Sequence, residues 1–214
     1  MSKSILIIGA GPGISTAMAE KFGHNGYSIG LINRNADTAK AIVDGLATQG
    51  ITAFSSTADI ANTAELQKSI TDLKEKLGGV NVLLYNAAAV RVKDILLETA
   101  DELAADFRVN VGGAVESIKF LYNELKKNKG SVLLTGGGLS IHPHHMYGSL
   151  SIGKAGIRSL ALQLHDPLKA DGIYAGTLTI TDTVTTDGAT HSYAIVADKF
   201  WELFTNGSEA ELVY

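Results

Sequence analysis

The sequence predicts an α/β domain of three layers, a parallel sheet of seven strands with helices on both faces. Two observations carry that reading. Short apolar runs alternate along the chain with longer stretches of helical periodicity, the pattern of parallel strands joined by crossover helices. The length, 214 residues, suits one domain with one large core, since domains run from about 50 to 250 residues; residues 1–214 are therefore read as a single unit without linker or repeat.

The expected strands are Ser4–Ile8, Ser28–Ile32, Thr52–Ser55, Val80–Tyr85, Ser131–Thr135, Thr177–Ile180 and a terminal Glu211–Val213. Between them helical periodicity covers Gly13–Phe22, Asp37–Gln49, Thr63–Leu77, Glu102–Lys127, Ser149–His165 and Ser192–Phe204. Asp166-Pro167 is expected to end or kink the fifth helix, because proline lacks an amide hydrogen and disfavours helical geometry in the residue before it. In the last helix Ala194, Val196, Ala197, Phe200, Trp201 and Phe204 mark an apolar face that reads as core.

Composition closes off several classes of function. Hydrophobic residues make up 45% and charged residues 19% of the chain, which argues against disorder. A net charge of -4 with no Lys/Arg block gives no reason to expect nucleic acid as a partner. The opening Met-Ser-Lys-Ser leads into Ile5-Leu6-Ile7-Ile8, too short an apolar run for a signal-peptide core or a membrane span, so a cytoplasmic protein without membrane contact is expected. With no cysteine there is no disulfide, thiolate metal site or cysteine nucleophile.

Gly9-Ala10-Gly11-Pro12-Gly13 follows an all-apolar strand directly and precedes a helix that begins near Ile14. Glycines there permit a tight turn and close backbone approach, and the helix N-terminus offers free amide hydrogens to a pyrophosphate. The segment Ile5–Phe22 therefore reads as the first strand-loop-helix of a Rossmann-type dinucleotide site. At the end of the second strand stand Asn33-Arg34. No carboxylate is present to favour a free ribose 2′-hydroxyl, and Arg34 could fork onto a 2′-phosphate, so NADP is favoured over NAD.

On these residues the chain resembles the short-chain dehydrogenase/reductase family. That family's Gly-xxx-Gly-x-Gly motif matches at Gly9 and Gly13, with Ser15 in place of the third glycine. Further matches are Asp59, Asn86-Ala87-Ala88, Asn110 and Lys154 within Gly-Lys-Ala-Gly, together covering nearly the whole chain. The resemblance implies that Asp59 and Ile60 lie near the adenine and Asn86 near the nicotinamide ribose, with Ala87 also a cofactor-binding residue. Thr183 or Thr185, in Ile180-Thr181-Asp182-Thr183-Val184-Thr185, would meet the carboxamide. It also implies a homodimer or homotetramer joined through two long helices, which here carry the small residues Gly112, Gly113, Ala114, Ala155 and Gly156.

The catalytic half departs from the family, which pairs a Tyr-xxx-Lys with a serine thirteen positions before the tyrosine. Four residues before Lys154 stands Leu150, and thirteen before that stands Gly137. An aliphatic side chain cannot donate a proton, so the family's usual mechanism cannot run unchanged. Tyr147 is one replacement, although seven residues of helix would separate it from Lys154 by about 10.5 Å of rise. The loop histidines His142, His144 and His145 are others, since imidazole is a capable proton donor near neutral pH. Their spacing alone does not complete a metal ligand set, and no metal is expected.

The sequence thus points to an NADP(H)-dependent oxidoreductase acting on a small carbonyl or alcohol, with Lys154 and Asn110 retained and Tyr147 or a histidine supplying the proton. A cofactor-binding protein without redox activity is the alternative, and an isomerase or lyase on the same scaffold is a third. Only Asp187–His191 separates the sixth strand's loop from the last helix, so no large lid is expected.

Overall fold

The computed structural model describes residues 3–214. One seven-stranded sheet, parallel throughout, runs in the order β3-β2-β1-β4-β5-β6-β7. Its strands are β1 (Lys3–Ile8), β2 (Tyr27–Asn33), β3 (Ala53–Thr57), β4 (Val82–Tyr85), β5 (Ser131–Thr135), β6 (Tyr174–Thr179) and β7 (Glu211–Val213). Helices α1 (Ile14–His24), α2 (Ala36–Thr48) and α7 (Tyr193–Asn206) pack on one face; α3 (Thr63–Leu77), α5 (Gly113–Asn128) and α6 (Gly148–Ala170) pack on the other. A short α4 (Ala100–Phe107) leads into α5.

β1 illustrates why the strand runs read as uninterrupted apolar residues. Leu6 and Ile8 join the core under α3, α5 and α6, while Ile5 and Ile7 join the core under α1, α2 and α7. Alternate side chains point to opposite faces, and both faces are covered. The chain order reverses between β1 and β4, and a cleft opens beyond the carboxyl ends of the strands at such a switch point.

The structure changes several expectations. The long helix expected over Glu102–Lys127 starts at Ala100 behind a capping box of Thr99 and Glu102, then is broken by a π turn over Arg108–Gly112 in which the Gly113 amide reaches the Arg108 carbonyl. α6 does not stop at Asp166-Pro167 but runs on to Ala170. Burial of Leu168, in the same apolar row as Ile157 and Ala161, holds the chain helical against proline's local preference. β4 begins at Val82, two residues later than expected, and the Asn81 before it is tied to Ser4 of β1 through its amide and side chain. β6 begins earlier than expected and pairs with β5 from Tyr174.

In α7 the residues Val196, Ala197, Phe200 and Leu203 are buried. Trp201 and Phe204 pack edge-on and tilted against Phe22 of α1, whereas Ala194 faces solvent. Among the described residues no helix is long and apolar enough to cross a membrane.

Candidate dinucleotide and catalytic site

The glycine loop leaves β1 at Gly9, whose φ is +83°, and enters α1 at Gly13, whose φ is +97°. Both values fall in the region that L side chains rarely adopt. Space is limiting as well: a Cβ on Gly9 would lie 2.4 Å from the Ala87 Cα, and one on Gly13 would lie 2.7 Å from Cε1 of Tyr193. Around Gly11 nothing lies within 4 Å of such an atom, so the middle of the loop is open to a ligand.

Ser15, in the place of the family's third glycine, ties this loop to the next strand. Its hydroxyl donates to the Gly9 carbonyl at 3.0 Å and accepts from Nδ2 of Asn86 at 2.7 Å. The Asn86 amide donates to the Ile8 carbonyl at 2.9 Å. Loop, β1 end and β4 end are thereby one hydrogen-bonded unit. Thr16 adds a bond from its hydroxyl to the Gly11 carbonyl. Ile14 packs partly into the core, and Pro12 borders a separate cavity of about 370 Å³ between α1 and α2.

A cleft of about 630 Å³ runs from the glycine loop across the ends of β2, β3 and β4, lined by Gly9, Asn33, Arg34, Asp59, Ile60, Asn86 and Ala87 among others. Asn33 is committed to the fold: its Nδ2 donates to the Ala10 carbonyl and its Oδ1 accepts from the Asn35 amide. Arg34 is exposed on the cleft and, among the described residues, has no hydrogen bond or ion pair. Asp59 accepts the Ala61 amide, which turns the chain beside Ile60.

The second cleft, about 360 Å³, lies at the ends of β5 and β6 and is lined by Gly137, Gly138, Leu139, His142, Lys154, Ile180, Thr181, Asp182 and Thr183. Lys154 reaches it from α6, with Nζ donating to the Thr135 carbonyl at 2.8 Å. Burial penalises the ammonium and lowers its pKa to about 8. Two further polar atoms nearby are buried without partners among the described residues, Thr135 Oγ1 and Asn110 Nδ2. Asn110 sits in the π turn, accepts the Ala89 amide through Oδ1 at 2.6 Å, and packs on Gly153, where a Cβ would lie 2.5 Å from its Nδ2. π turns of this kind recur at functional sites.

The two replaced catalytic positions are where counting puts them. A Cβ on Gly137 would lie 3.4 Å from the Lys154 Cε, in ordinary contact, and Leu150 is buried one turn before the lysine. Tyr147 precedes α6 as its N-cap; its main chain bridges Lys93 and its ring lies 5.9 Å from that of His144. It is not among the residues lining the Lys154 cleft. His145 pairs with Asp94 at 2.9 Å and stacks on His144, leaving His142 as the loop histidine that lines the cleft.

Sequence reasoning missed an ion network beside the larger cleft. Arg91 makes two bonds to Asp106, at 2.8 and 3.0 Å, and one to Glu102, while Ser149 of α6 donates to Asp106 at 2.8 Å. Arg91 beside Asp106 holds that carboxyl below the usual carboxylate range. The sole local signal was an arginine and a lysine flanking Val92 after an apolar run; their acidic partners lie about ten to fifteen residues away and gave no motif. Tyr193, lying on Gly13, was also missed.

A switch-point cleft floored by a glycine loop on a helix N-terminus defines a dinucleotide-binding α/β protein, and the cradle at Gly9, the open space at Gly11 and the unpaired polar groups fit such a ligand. The short chain dehydrogenase family model matches residues 3–193, and the chain belongs to that family. It is 33% identical over 133 residues to a 7alpha-hydroxysteroid dehydrogenase of Escherichia coli (strain K12), covering 62% of this chain and 52% of that protein. It is 34% identical over 138 residues to a meso-2,3-butanediol dehydrogenase of Serratia marcescens, covering 63% and 53%. The matched stretch spans about half the length of these relatives. The fold matches, with a TM-score of 0.85 and 21% identity over 99% of this chain and 95% of the other, an alcohol dehydrogenase from the archaeon Thermococcus sibiricus complexed with 5-hydroxy-NADP.

Proposed function

We propose that the chain is a cytoplasmic, NADP(H)-dependent oxidoreductase of small carbonyls or alcohols in which His142 replaces the missing tyrosine as proton donor. The observation that carries this reading is the shared lining of one cleft by Lys154, Thr183 and His142. Bound there, the nicotinamide supplies or accepts a hydride. Lys154 contributes a cation whose Nζ has one hydrogen on Thr135 and donors to spare for ribose hydroxyls. A ring proton of His142 would pass to the carbonyl oxygen as negative charge develops there, and solvent would restore it. Thr183 would hold the carboxamide, Asn86 and Ala87 would lie by the ribose, and Asp59 and Ile60 by the adenine.

NADP is preferred because Arg34 is an exposed cation on the cleft with no ion pair among the described residues and with no carboxylate beside it in sequence. Exposed Phe107, Phe120, Ile152 and Leu162 on the α4–α6 helices support a homodimer or homotetramer. The small residues contribute less than their spacing suggested: Gly113 packs inward on Tyr85, Ala114 is buried, and Gly156 packs on Val111 and Phe107.

A panel of ketones, aldehydes and alcohols assayed with NADPH and NADH tests the reading. Turnover should favour NADPH; Arg34→Ala should lose about 10-fold in NADPH affinity with NADH unmoved. His142→Asn should lower kcat by about 10²-fold, and Tyr147→Phe should not. The alternative, a cofactor-binding protein without redox activity, is favoured by Leu150 and Gly137 at the two catalytic positions. It stands if NADPH binds and no compound turns over.

A further inference from the structure

We infer that Tyr193 is a cofactor-binding residue of this chain, its hydroxyl donating to the pyrophosphate over the N-terminus of α1. The inference rests on the proposed binding of a dinucleotide at the glycine loop. It starts from the absence of a Cβ at Gly13. The Tyr193 ring occupies the space a side chain would take, with Cε1 at 2.7 Å and Cζ at 2.9 Å from the position of such an atom. The end of the ring that bears the hydroxyl therefore lies at the turn where α1 presents its free amides. Among the described residues that hydroxyl has no hydrogen-bond partner.

The backbone that carries the ring is held in place by several contacts. Ser192 caps α7 by accepting the Ile195 amide, which makes Tyr193 the first helical residue. The Tyr193 amide donates to the Thr185 carbonyl at 3.2 Å, and the Thr185 amide to the His191 carbonyl at 3.0 Å, so residues 185–193 close into a small loop. Tyr214 fastens both ends of the segment that follows β6: its carbonyl accepts the Thr181 amide and hydroxyl at 2.6 and 2.9 Å, and its hydroxyl donates to the Thr190 carbonyl at 2.5 Å. Its ring stacks on His191 at 4.6 Å. Beneath, α7 is clamped to α1 by the Phe22, Trp201 and Phe204 rings and by the Lys21–Asp198 pair at 2.6 Å.

A ring packed on Gly13 from a restrained backbone limits the conformational freedom lost on meeting a ligand, and a neutral donor to a phosphate oxygen makes a charge-assisted bond. The same segment carries Thr183 at the other cleft. One strap thus touches the ligand at the carboxamide and at the pyrophosphate.

Tyr193→Phe keeps the ring on Gly13 and removes only the donor. Calorimetric titration with NADPH should show about 10-fold weaker binding in the variant, while adenosine 2′-monophosphate, which has no pyrophosphate, should bind both proteins equally. A circular dichroism melt checks that the variant is folded. NADPH affinity within twofold of wild type overturns the inference, as does equal weakening of both ligands. Tighter binding by Tyr193→Ala would also overturn it, by making the ring an obstruction. Wild type that binds neither NADPH nor NADH brings down the proposed function and this inference together; wild type that binds, with an unmoved Tyr193→Phe, brings down this inference alone.

Discussion

The two halves of the sheet have diverged from the family pattern in different ways. At the carboxyl ends of β1 and β4 the one departure, Ser15 for glycine, is built into the site: its hydroxyl joins Gly9 to Asn86. At the ends of β5 and β6 the departures remove side-chain groups: Leu150 offers no proton and Gly137 no hydroxyl where the family pattern has a tyrosine and a serine. The Lys154 they should have served stays half-buried, with its ammonium on a main-chain carbonyl. Binding tolerates a substitution that keeps backbone geometry, whereas proton transfer needs a particular atom. A cofactor site can therefore persist while the chemistry beside it is rebuilt.

The largest effect that would break this comparison lies in the first half. Gly9→Val would place a branched side chain at φ +83° and into the Ala87 backbone at 2.4 Å. NADPH binding should fall by about 100-fold or more, with a stability loss on the order of 3 kcal/mol, read by calorimetry and thermal melts. A variant that binds normally would show that the loop is not the pyrophosphate cradle.

The second half is sharpened by putting the lost groups back. Leu150→Tyr with Gly137→Ser should raise ketone reduction with NADPH by about 10²-fold. Residues 150 and 154 share a helix face, and position 137 has room for a side chain, because its φ of -172° is ordinary extended backbone and its nearest neighbour is 3.4 Å away. A folded double variant with no gain in rate would mean that more than these two groups is missing.

The smallest effect concerns pH. Lys154 has a folded pKa of about 8, below the ordinary 10.5. The folded chain therefore binds fewer protons than the unfolded chain between those values, and wild-type stability should rise with pH across that window. The cost of the charge is fully present below pH 8 and gone above about 10.5, a span worth about 1 kcal/mol once discounted for the solvent that reaches this half-buried side chain. Denaturant unfolding of wild type and Lys154→Met at pH 7.5 to 10.5 isolates it: the difference between the two should drift toward wild type as pH rises, and a constant difference would refute the burial of the charge.

Much of the architecture was legible because it rests on local pattern. Thr63–Leu77, Ser131–Thr135 and Glu211–Val213 lie where periodicity and apolar runs put them, and the glycine loop announced itself by following one strand and opening one helix. What was not legible depends on distant partners. Pro167 stays helical because Leu168 is buried under the sheet. Tyr193 meets Gly13 across most of the chain length, and no short-range signal links them. Gly113 and Ala114 look like an external helix contact in sequence and prove to be internal, since a Cβ on Gly113 would strike Tyr85. The π turn is invisible to periodicity because the flanking helices keep their own apolar faces.

That π turn has a consequence for how the chain can vary. One turn of five residues, Arg108–Gly112, holds one residue more than an α turn takes up, so the surplus is absorbed locally and neither α4 nor α5 is rotated by the 100° that an extra residue would impose on a regular helix. The segment is in effect an insertion whose register has already been repaired. Loss of a single residue there is expected to leave an unbroken α-helix with Leu121 and Leu125 still on the core face, and to shift the carboxamide of Asn110 from its place against Gly153 of α6. A change in chain length at this point would thus alter the surroundings of Asn110 without altering the register of the helical core.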